Sequence, residues 1–422
     1  MAETTAQATA MRPGGARVLK VGIIGIGVGS TEVMPAMEAM DEIEVVAGCD
    51  VVPETLQKFG QRFPGAKLYD DIEKMCADPD VEAVWISSPN RFHAPHTITA
   101  AQHGKHVVVE KPMAISIAQA ESMCAAADTH GVKLLAGHTR SFTLPLRAMR
   151  KVVTSGRIGK LCAIHIWSYS DWMLRPRTPD ELDLAQGGGV PYRQGPHQID
   201  TVRVIGGGML KSVRGMTGQW MPERPIPGYY TAYLEFEDGT PSTIMHNGYG
   251  YFIGAEFVPW GRAQMHYSPE EKGNMRRQMR AGSRPEAEQK QAMRIGGSDQ
   301  RQATEPGTRR PWVPEDMGFI VVSCERGDIR HSQYGIYIYD DDGIHDVDVE
   351  LEAGGVGRRA ELEELYNAVV LDKPVYHDGR WGMATLEVSL AIMQSAKEHR
   401  EIQLTHQVPV SPDYDADLKL TF

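Results

Sequence analysis

The segment "RVLKVGIIGIGVGS", beginning at Arg17, carries an apolar run straight into glycine-rich chain, and this junction constrains the fold more than any other feature. An apolar run without polar alternation suits a strand covered on both faces. Glycines directly after it suit a tight turn into a helix, because they reach backbone angles that other residues avoid. The pattern then repeats. "TEVMPAMEAM" reads as a helix, "IEVVAGCD" (43–50) as a second strand, "PETLQKFGQRF" as a helix and "VEAVWISSP" (81–89) as a third strand. "APHTITAAQHG" reads as a helix, "KHVVVEKP" (105–112) as a fourth strand, "SIAQAESMCAAADTHG" as a helix and "KLLAGHT" (133–139) as a fifth strand. Strands and helices alternating through short connections predict an α/β domain with a doubly wound parallel sheet over residues 17–144.

After about residue 160 the grammar changes. "KLCAIHIWSYSDW" reads as an aromatic-rich strand, and "TAYLEFEDGTPSTIMHN" as a hairpin around Asp238-Gly239, a favoured turn pair. Further strands in "FIVVSCERGDIRHSQYGIYIYDDDGIHDVDV" and two amphipathic helices, "RRAELEELYNAVV" and "GMATLEVSLAIMQSAKEHR", predict a second α+β domain with an antiparallel or mixed sheet over 145–422. A chain of 422 residues fits two such domains. A polar stretch at about 261–310 has more lysine and arginine than acid, against the trend of the chain. It is expected to be a mobile surface excursion, with a lid or a subunit-contact arm as the functional alternative.

Residues 1–16 lack the apolar segment of a signal peptide and read as a disordered tail, and no later stretch offers the ~20 apolar residues of a membrane span. The five cysteines are scattered without C-x-x-C spacing, as in a reducing compartment. A cytoplasmic protein with no membrane partner is expected. The net charge of -11 argues against a nucleic-acid partner, yet leaves room for a locally positive pocket and an anionic small substrate.

Gly25-Ile26-Gly27-Val28-Gly29-Ser30 stands where the first strand meets the first helix. There glycine lets a pyrophosphate approach the backbone at the positive end of the helix. The third position of the G-x-G-x-x-G pattern is Ser30. Asp50 closes the second strand where an acid accepts hydrogen bonds from the adenosine ribose. It is followed by Val51-Val52, with no basic residue for a 2′-phosphate, so NAD is expected ahead of NADP.

The fourth strand ends in Glu110-Lys111-Pro112. Open α/β sheets bind ligands outside the carboxyl ends of their strands, which places Lys111 in the cleft as a candidate proton acceptor. Farther on, "QGGGVPYRQGPHQID" (186–200) combines three glycines with Arg193 and His197, an anion holder and a proton carrier. Arg140, Arg175 and Arg177 are further cations that could face an anion or merely the surface.

The glycine turn, "SSPNRFHAPH" (87–96), "GKHVVVEKP" (104–112), "GRIGKL" (156–161) and "GGG…GPHQID" (187–200) together resemble the Gfo/Idh/MocA oxidoreductases, in that family's order and over nearly the whole chain outside the polar stretch. The resemblance implies a Rossmann domain, an open-faced sheet domain that carries the substrate, and a homodimer or homotetramer. It implies that Lys111 is the catalytic lysine, and that Glu110, Ser88, Asn90 and His93 lie near the nicotinamide and ribose. His93 and His96 have H-x-x-H spacing but no evident third ligand, so no metal is expected. His197 matches the histidine that flanks the reacting hydroxyl.

One position departs from the family. Four residues before that histidine the pattern has an aspartate, and this chain has Arg193. The charge inversion favours a substrate carboxylate, which arginine grips with a planar fork. "GHTRSFTLPLRAMR", "WSYSDWMLR" and "QGGGVPYRQGPHQID" are further similar to the branch that dehydrogenates phthalate 4,5-cis-dihydrodiol. Arg193, with Arg175, Arg177, Tyr192 and His197, is then expected to line the substrate site. The expected activity is NAD-dependent oxidation of a carboxylate-bearing cyclic cis-diol, at CH–OH or CH–CH. The alternatives are a sugar or inositol dehydrogenase and, less favoured, an inactive nucleotide-sensing regulator.

Overall fold

The computed structural model describes residues 17–138, 140–300, 311–314, 317–349, 357–418 and 420. The expected tail at 1–16 and the stretch 301–310 lie outside the described residues.

The first domain runs β1 (Leu19–Ile24), α1 (Val28–Glu38), β2 (Ile43–Cys49), α2 (Pro53–Arg62), β3 (Lys67–Tyr69), α3 (Ile72–Cys76), β4 (Ala83–Ile86), α4 (His93–Gln102), β5 (His106–Glu110), α5 (Ile117–His130) and β6 (Leu134–Gly137). The strands pair in parallel in the order β3-β2-β1-β4-β5-β6. Chain direction across the sheet reverses between β1 and β4, and a crevice opens at their carboxyl ends. Strand β3, a mostly exposed "KLY", has no apolar run, so the sequence pattern passed over it. The central strands are buried along nearly their whole length, as their unbroken apolar runs require.

The second domain continues with α6 (Leu144–Ser155), β7 (Leu161–Tyr169), α7 (Val190–Arg193), α8 (Gly195–Gly206), β8 (Leu210–Gly218), β9 (Tyr229–Phe236), β10 (Pro241–Asn247), α9 (Pro269–Arg280), α10 (Glu286–Ala292), β11 (Phe319–Cys324), β12 (Gly327–His331), β13 (Gly335–Asp340), β14 (Gly343–Asp348), α11 (Arg358–Val370), α12 (Gly379–Glu398) and β15 (Ile402–Gln403). Nine strands form one mixed sheet in the order β14-β13-β12-β11-β7-β10-β9-β8-β15. Strands β7 and β10 pair in parallel and the other neighbours are antiparallel. The Asp238-Gly239 hairpin joins β9 to β10, with Gly239 in the left-handed region.

Alternation along β7 separates the faces of this sheet. Ile164 and Ile166 are buried under the helices, whereas Trp167 is 43% exposed. The register sets Phe319, Trp167, Met245, Thr231 and Met216 in one row across β11, β7, β10, β9 and β8 on the uncovered face.

The chain end ties the domains together. Helix α11 packs on α1, and its Leu362 and Leu365 bury with Leu19, Val21 and Ile23 of β1. Helix α12 lies between α5 and β6 on one side and α8 and β8 on the other. A division near residue 145 therefore separates the two sheets but not their helical cover.

Candidate active site

At the first glycine turn, Gly25 has φ +81°, and a Cβ there would stand 2.5 Å from the Ser88 backbone nitrogen. Gly27 caps α1, and a Cβ there would meet nothing within 4 Å. The first turn of α1 holds no acidic residue, so its N–H groups present unopposed positive potential beside that open space. Asp50 accepts from the N–H of Ile26 at 2.8 Å and of Val52 at 2.9 Å, one to each oxygen. Each oxygen keeps a lone pair for a ribose hydroxyl. Ser30 is fully buried and its hydroxyl donates to the Gly27 carbonyl, so it tightens the turn rather than facing the crevice. An open cradle, a helix N-terminus and an acid at the end of β2 fit a dinucleotide, which Gly25, Ile26, Gly27, Val28 and Asp50 would hold.

Beyond β4, Ser88, Asn90 and His93 are all buried. The His93 ring spans two carbonyls, Ser88 at 2.7 Å and Pro112 at 2.8 Å, and so ties the end of β4 to the residue after Lys111. Burial, reinforced by Arg193 and Lys111, pulls the His93 imidazole down to about 4. His96 approaches the Ser88 hydroxyl at 3.0 Å and stacks on Phe92. Both histidines of the H-x-x-H spacing are thus engaged with the protein itself.

Lys111 reaches across the interdomain seam. Its Nζ donates to the carbonyl of Arg193, 2.9 Å away at the end of α7. One residue separates that helix from α8, whose first turn contains His197. Lys111 therefore reaches the α7–α8 junction, 82 positions away in sequence, with His197 in the next helical turn. Asn90 bolts the seam from the first domain, donating to the Gly187 carbonyl at 2.9 Å and accepting from Arg193 at 3.3 Å.

The glycine triplet admits no side chains here. Gly187 and Gly189 have φ of +79° and +88°, and a Cβ on Gly188 would lie 2.6 Å from the Glu181 carbonyl oxygen. The chain between α7 and Glu181 is folded back on itself.

Several expected site residues have other partners. Glu110 pairs with Arg358 of α11, 2.7 Å away, and fastens that helix to β5. The Tyr192 hydroxyl donates to the Ile115 carbonyl at 3.0 Å and its ring joins the first domain's core, so it seals the seam and does not line the site. Arg177 is buried, lies over the Trp172 ring at 3.8 Å and pairs with Glu181 at 3.0 Å. Arg175 pairs with Asp171 at 2.9 Å. Neither is placed as an open carboxylate holder. Arg193, 27% exposed, pairs with Glu181 at 3.2 Å and is more exposed than Arg177, whose side chain is 8% exposed.

Two participants escaped the sequence reading. Glu181, 4% exposed, takes Arg177 at 3.0 Å and Arg193 at 3.2 Å on one oxygen, and Lys290 at 2.7 Å on the other. Burial works against its charge, but Arg177, Arg193 and Lys290 outweigh that and hold the carboxyl well below the usual range. The Thr178–Glu181 capping box was a usable local signal for this acid. Lys290 had none, since contact 109 positions away follows only from the fold. The polar stretch that carries it is also not the free excursion expected from composition. Its described part holds α9 and α10, Glu286 pairs with the buried Arg224, and Arg276 donates to the Gly250 carbonyl at 2.9 Å.

Comparison with known proteins places this geometry. Residues 19–138 match the model for an oxidoreductase family with an NAD-binding Rossmann fold, and residues 146–250 match the GFO/IDH/MocA C-terminal domain. The chain belongs to the Gfo/Idh/MocA oxidoreductase family. It is 30% identical over 382 residues to the 1-carboxy-3-chloro-3,4-dihydroxycyclo hexa-1,5-diene dehydrogenase of Comamonas testosteroni, covering 90% of this chain and 95% of that one. It is 28% identical over 234 residues to the scyllo-inositol 2-dehydrogenase (NADP(+)) of Bacillus subtilis strain 168, covering 54% and 63%. A solved structure from Bordetella bronchiseptica RB50 superposes with a TM-score of 0.82 at 32% identity, over 92% of this chain and all of that one. Among the described residues, no helix is long and apolar enough to cross a membrane.

Proposed function

We propose that this oxidoreductase uses NAD to oxidise a cyclic cis-diol bearing a ring carboxylate, with phthalate 4,5-cis-dihydrodiol, giving 4,5-dihydroxyphthalate, as the leading candidate. The observation that carries the reading is the meeting of the Lys111 amine with the Arg193 backbone beside a cluster rich in positive charge. The Comamonas testosteroni relative, named for a carboxylated dihydroxycyclohexadiene, supports the same substrate class. The exposed Val51 after Asp50 supports NAD over NADP, since a 2′-phosphate there would find no cation from that residue.

A bound nicotinamide supplies the hydride acceptor. Lys111, as the free amine, takes the proton of the reacting hydroxyl while the carbinol C–H bond breaks. His197, on the first turn of α8, hydrogen-bonds the same hydroxyl or its neighbour. Arg193 holds a ring carboxylate and so fixes which carbon faces the cofactor. The Asn90 and His93 hydrogen bonds keep Lys111 and Arg193 in register across the seam. For a dihydrodiol, the product gains aromaticity by tautomerisation, which draws the oxidation forward.

A homodimer or homotetramer is proposed with this activity. The uncovered sheet face, with Trp167, Met245 and Met216 in one cross-strand row, suits burial against a second copy.

The test is a panel of phthalate dihydrodiol, myo-inositol, scyllo-inositol and aldoses, each with NAD and NADP, read by NADH or NADPH absorbance. Turnover is expected with the dihydrodiol and NAD, and Arg193→Ala should raise its KM about tenfold or more, the worth of a charge-assisted contact. Turnover of inositols alone would replace this reading with that of a polyol dehydrogenase.

A further inference from the structure

The polar stretch after β10 runs along the substrate side of the crevice and ends on the nucleotide domain. Helix α9 packs on the turn at Trp172–Leu174, and Arg284 donates to the Leu174 carbonyl. Glu286 takes Arg224 and the Arg177 N–H, and Lys290 takes Glu181. Ile295, 4% exposed, then buries with Ile26 and Phe59 of the first domain's core, and Gly296 lies against Lys58 of α2. Lys290 is thus held on a segment anchored at both ends, one on each domain.

Charge around Glu181 is unbalanced. Arg177, Arg193 and Lys290 surround this one carboxylate, while Asp171 is engaged by Arg175 and Glu286 by Arg224. Excess positive charge removed from water favours a further anion. The three cations are not equally free to receive it. Arg177 is fastened to Glu181 and to the Trp172 carbonyl under a stacked ring, and Lys290 is 15% exposed at 2.7 Å from its partner. Arg193 has the longest contact and the greatest exposure, and its backbone receives Lys111.

We propose that Lys290 is a specificity-determining residue. By occupying the second oxygen of Glu181, it leaves the Arg193 guanidinium available to a substrate carboxylate. Without Lys290, the second Glu181 oxygen keeps only the Thr178 N–H at 2.9 Å and hydroxyl at 3.1 Å and has no cation, and Arg193 is the neighbouring cation able to take that place. The internal carboxylate then competes with the external one. This inference rests on the reading that the substrate is anionic.

The experiment is titration of the NADH-loaded enzyme with phthalate, a carboxylate probe that does not turn over, by calorimetry or NADH fluorescence. Wild-type enzyme is expected to bind it, and Lys290→Met to bind about tenfold more weakly or worse, as for loss of a contact to a charged group. Lys290→Arg is expected to restore binding, and NADH affinity is expected to be retained in both variants. If the Met variant does not fold, judged by its melting and NADH binding, Lys290→Gln keeps a polar side chain without the charge and takes its place. Equal phthalate affinity in wild type and the neutral variant would overturn the role of Lys290 and leave the anionic-substrate reading intact. Absence of phthalate binding to the wild type would overturn both.

Discussion

The two glycine-rich turns look alike in sequence and differ in what their space is for. In the first, Gly27 borders open space at the end of α1. In the second, the room beside Gly188 is filled by the backbone oxygens of Glu181 and Asp183, at 2.6 and 2.7 Å from where a Cβ would sit. One glycine leaves room for a ligand and the other for the protein itself. The same contrast runs through the charged residues. Asp50 keeps lone pairs facing outward, whereas Glu181 has both oxygens taken by cations of its own chain. The nucleotide side is a socket prepared for a partner, and the substrate side is a wall whose residues hold one another in place.

The comparison can be broken or sharpened. The largest effect is expected from Lys111, whose amine reaches from the first side to the second. Lys111→Ala should lower kcat by roughly 10²–10⁴-fold, the ordinary worth of a positioned base, while NADH still binds. Equal loss of NADH affinity would mean that Lys111 belongs to the nucleotide socket. Next come the glycines. Gly188→Ala should cost about 3 kcal/mol of stability, because the clash is with backbone, and should be visible as a lower denaturation midpoint. Gly27→Ala should leave that midpoint nearly unchanged and weaken NADH binding, because its φ of -93° suits any residue and the lost space is the ligand's. Reversed outcomes for the pair would invert the assignment of the two turns.

The smallest effect concerns pH. His138 follows β6, and burial pulls its imidazole down to about 4 from the usual 6.5. The unfolded chain therefore takes up a proton between those values while the folded chain does not. Stability falls as pH drops from about 6.5 towards 4, by at most about 1.4 kcal/mol per pH unit for one such group. His138→Gln should flatten this slope in chemical denaturation at pH 7, 6 and 5. An unchanged slope would transfer the effect to the other imidazoles that burial lowers, His93, His96 and His331.

Much of the first domain was legible because buried parallel strands are written as unbroken apolar runs punctuated by glycine. Strand β3 was not, because three mostly exposed residues carry no such mark. Lys111 was legible for a physical reason, since the carboxyl end of a β-strand faces the crevice. The pairing of Glu110 beside it was not legible, because its partner Arg358 lies 248 residues on and nothing local announces it. Tyr192, Arg175 and Arg177 are polar residues next to a site, and proximity in sequence did not decide their direction.

The sequence by itself determined the alternation that builds a Rossmann sheet, the cradle at Gly25–Ser30, the acid at Asp50 and the departure at Arg193. These are periodicities and residue types, which act over a few positions. Tertiary structure alone decided how each cation is partnered. Arg177 and Arg193 are sixteen residues apart and chemically identical, yet the first is held under the Trp172 ring and against Glu181, while the second is divided between Glu181 at 3.2 Å and Asn90 at 3.3 Å and is 27% exposed. Charge availability depends on how much of Glu181 each cation must share, and that division exists only once the chain has folded.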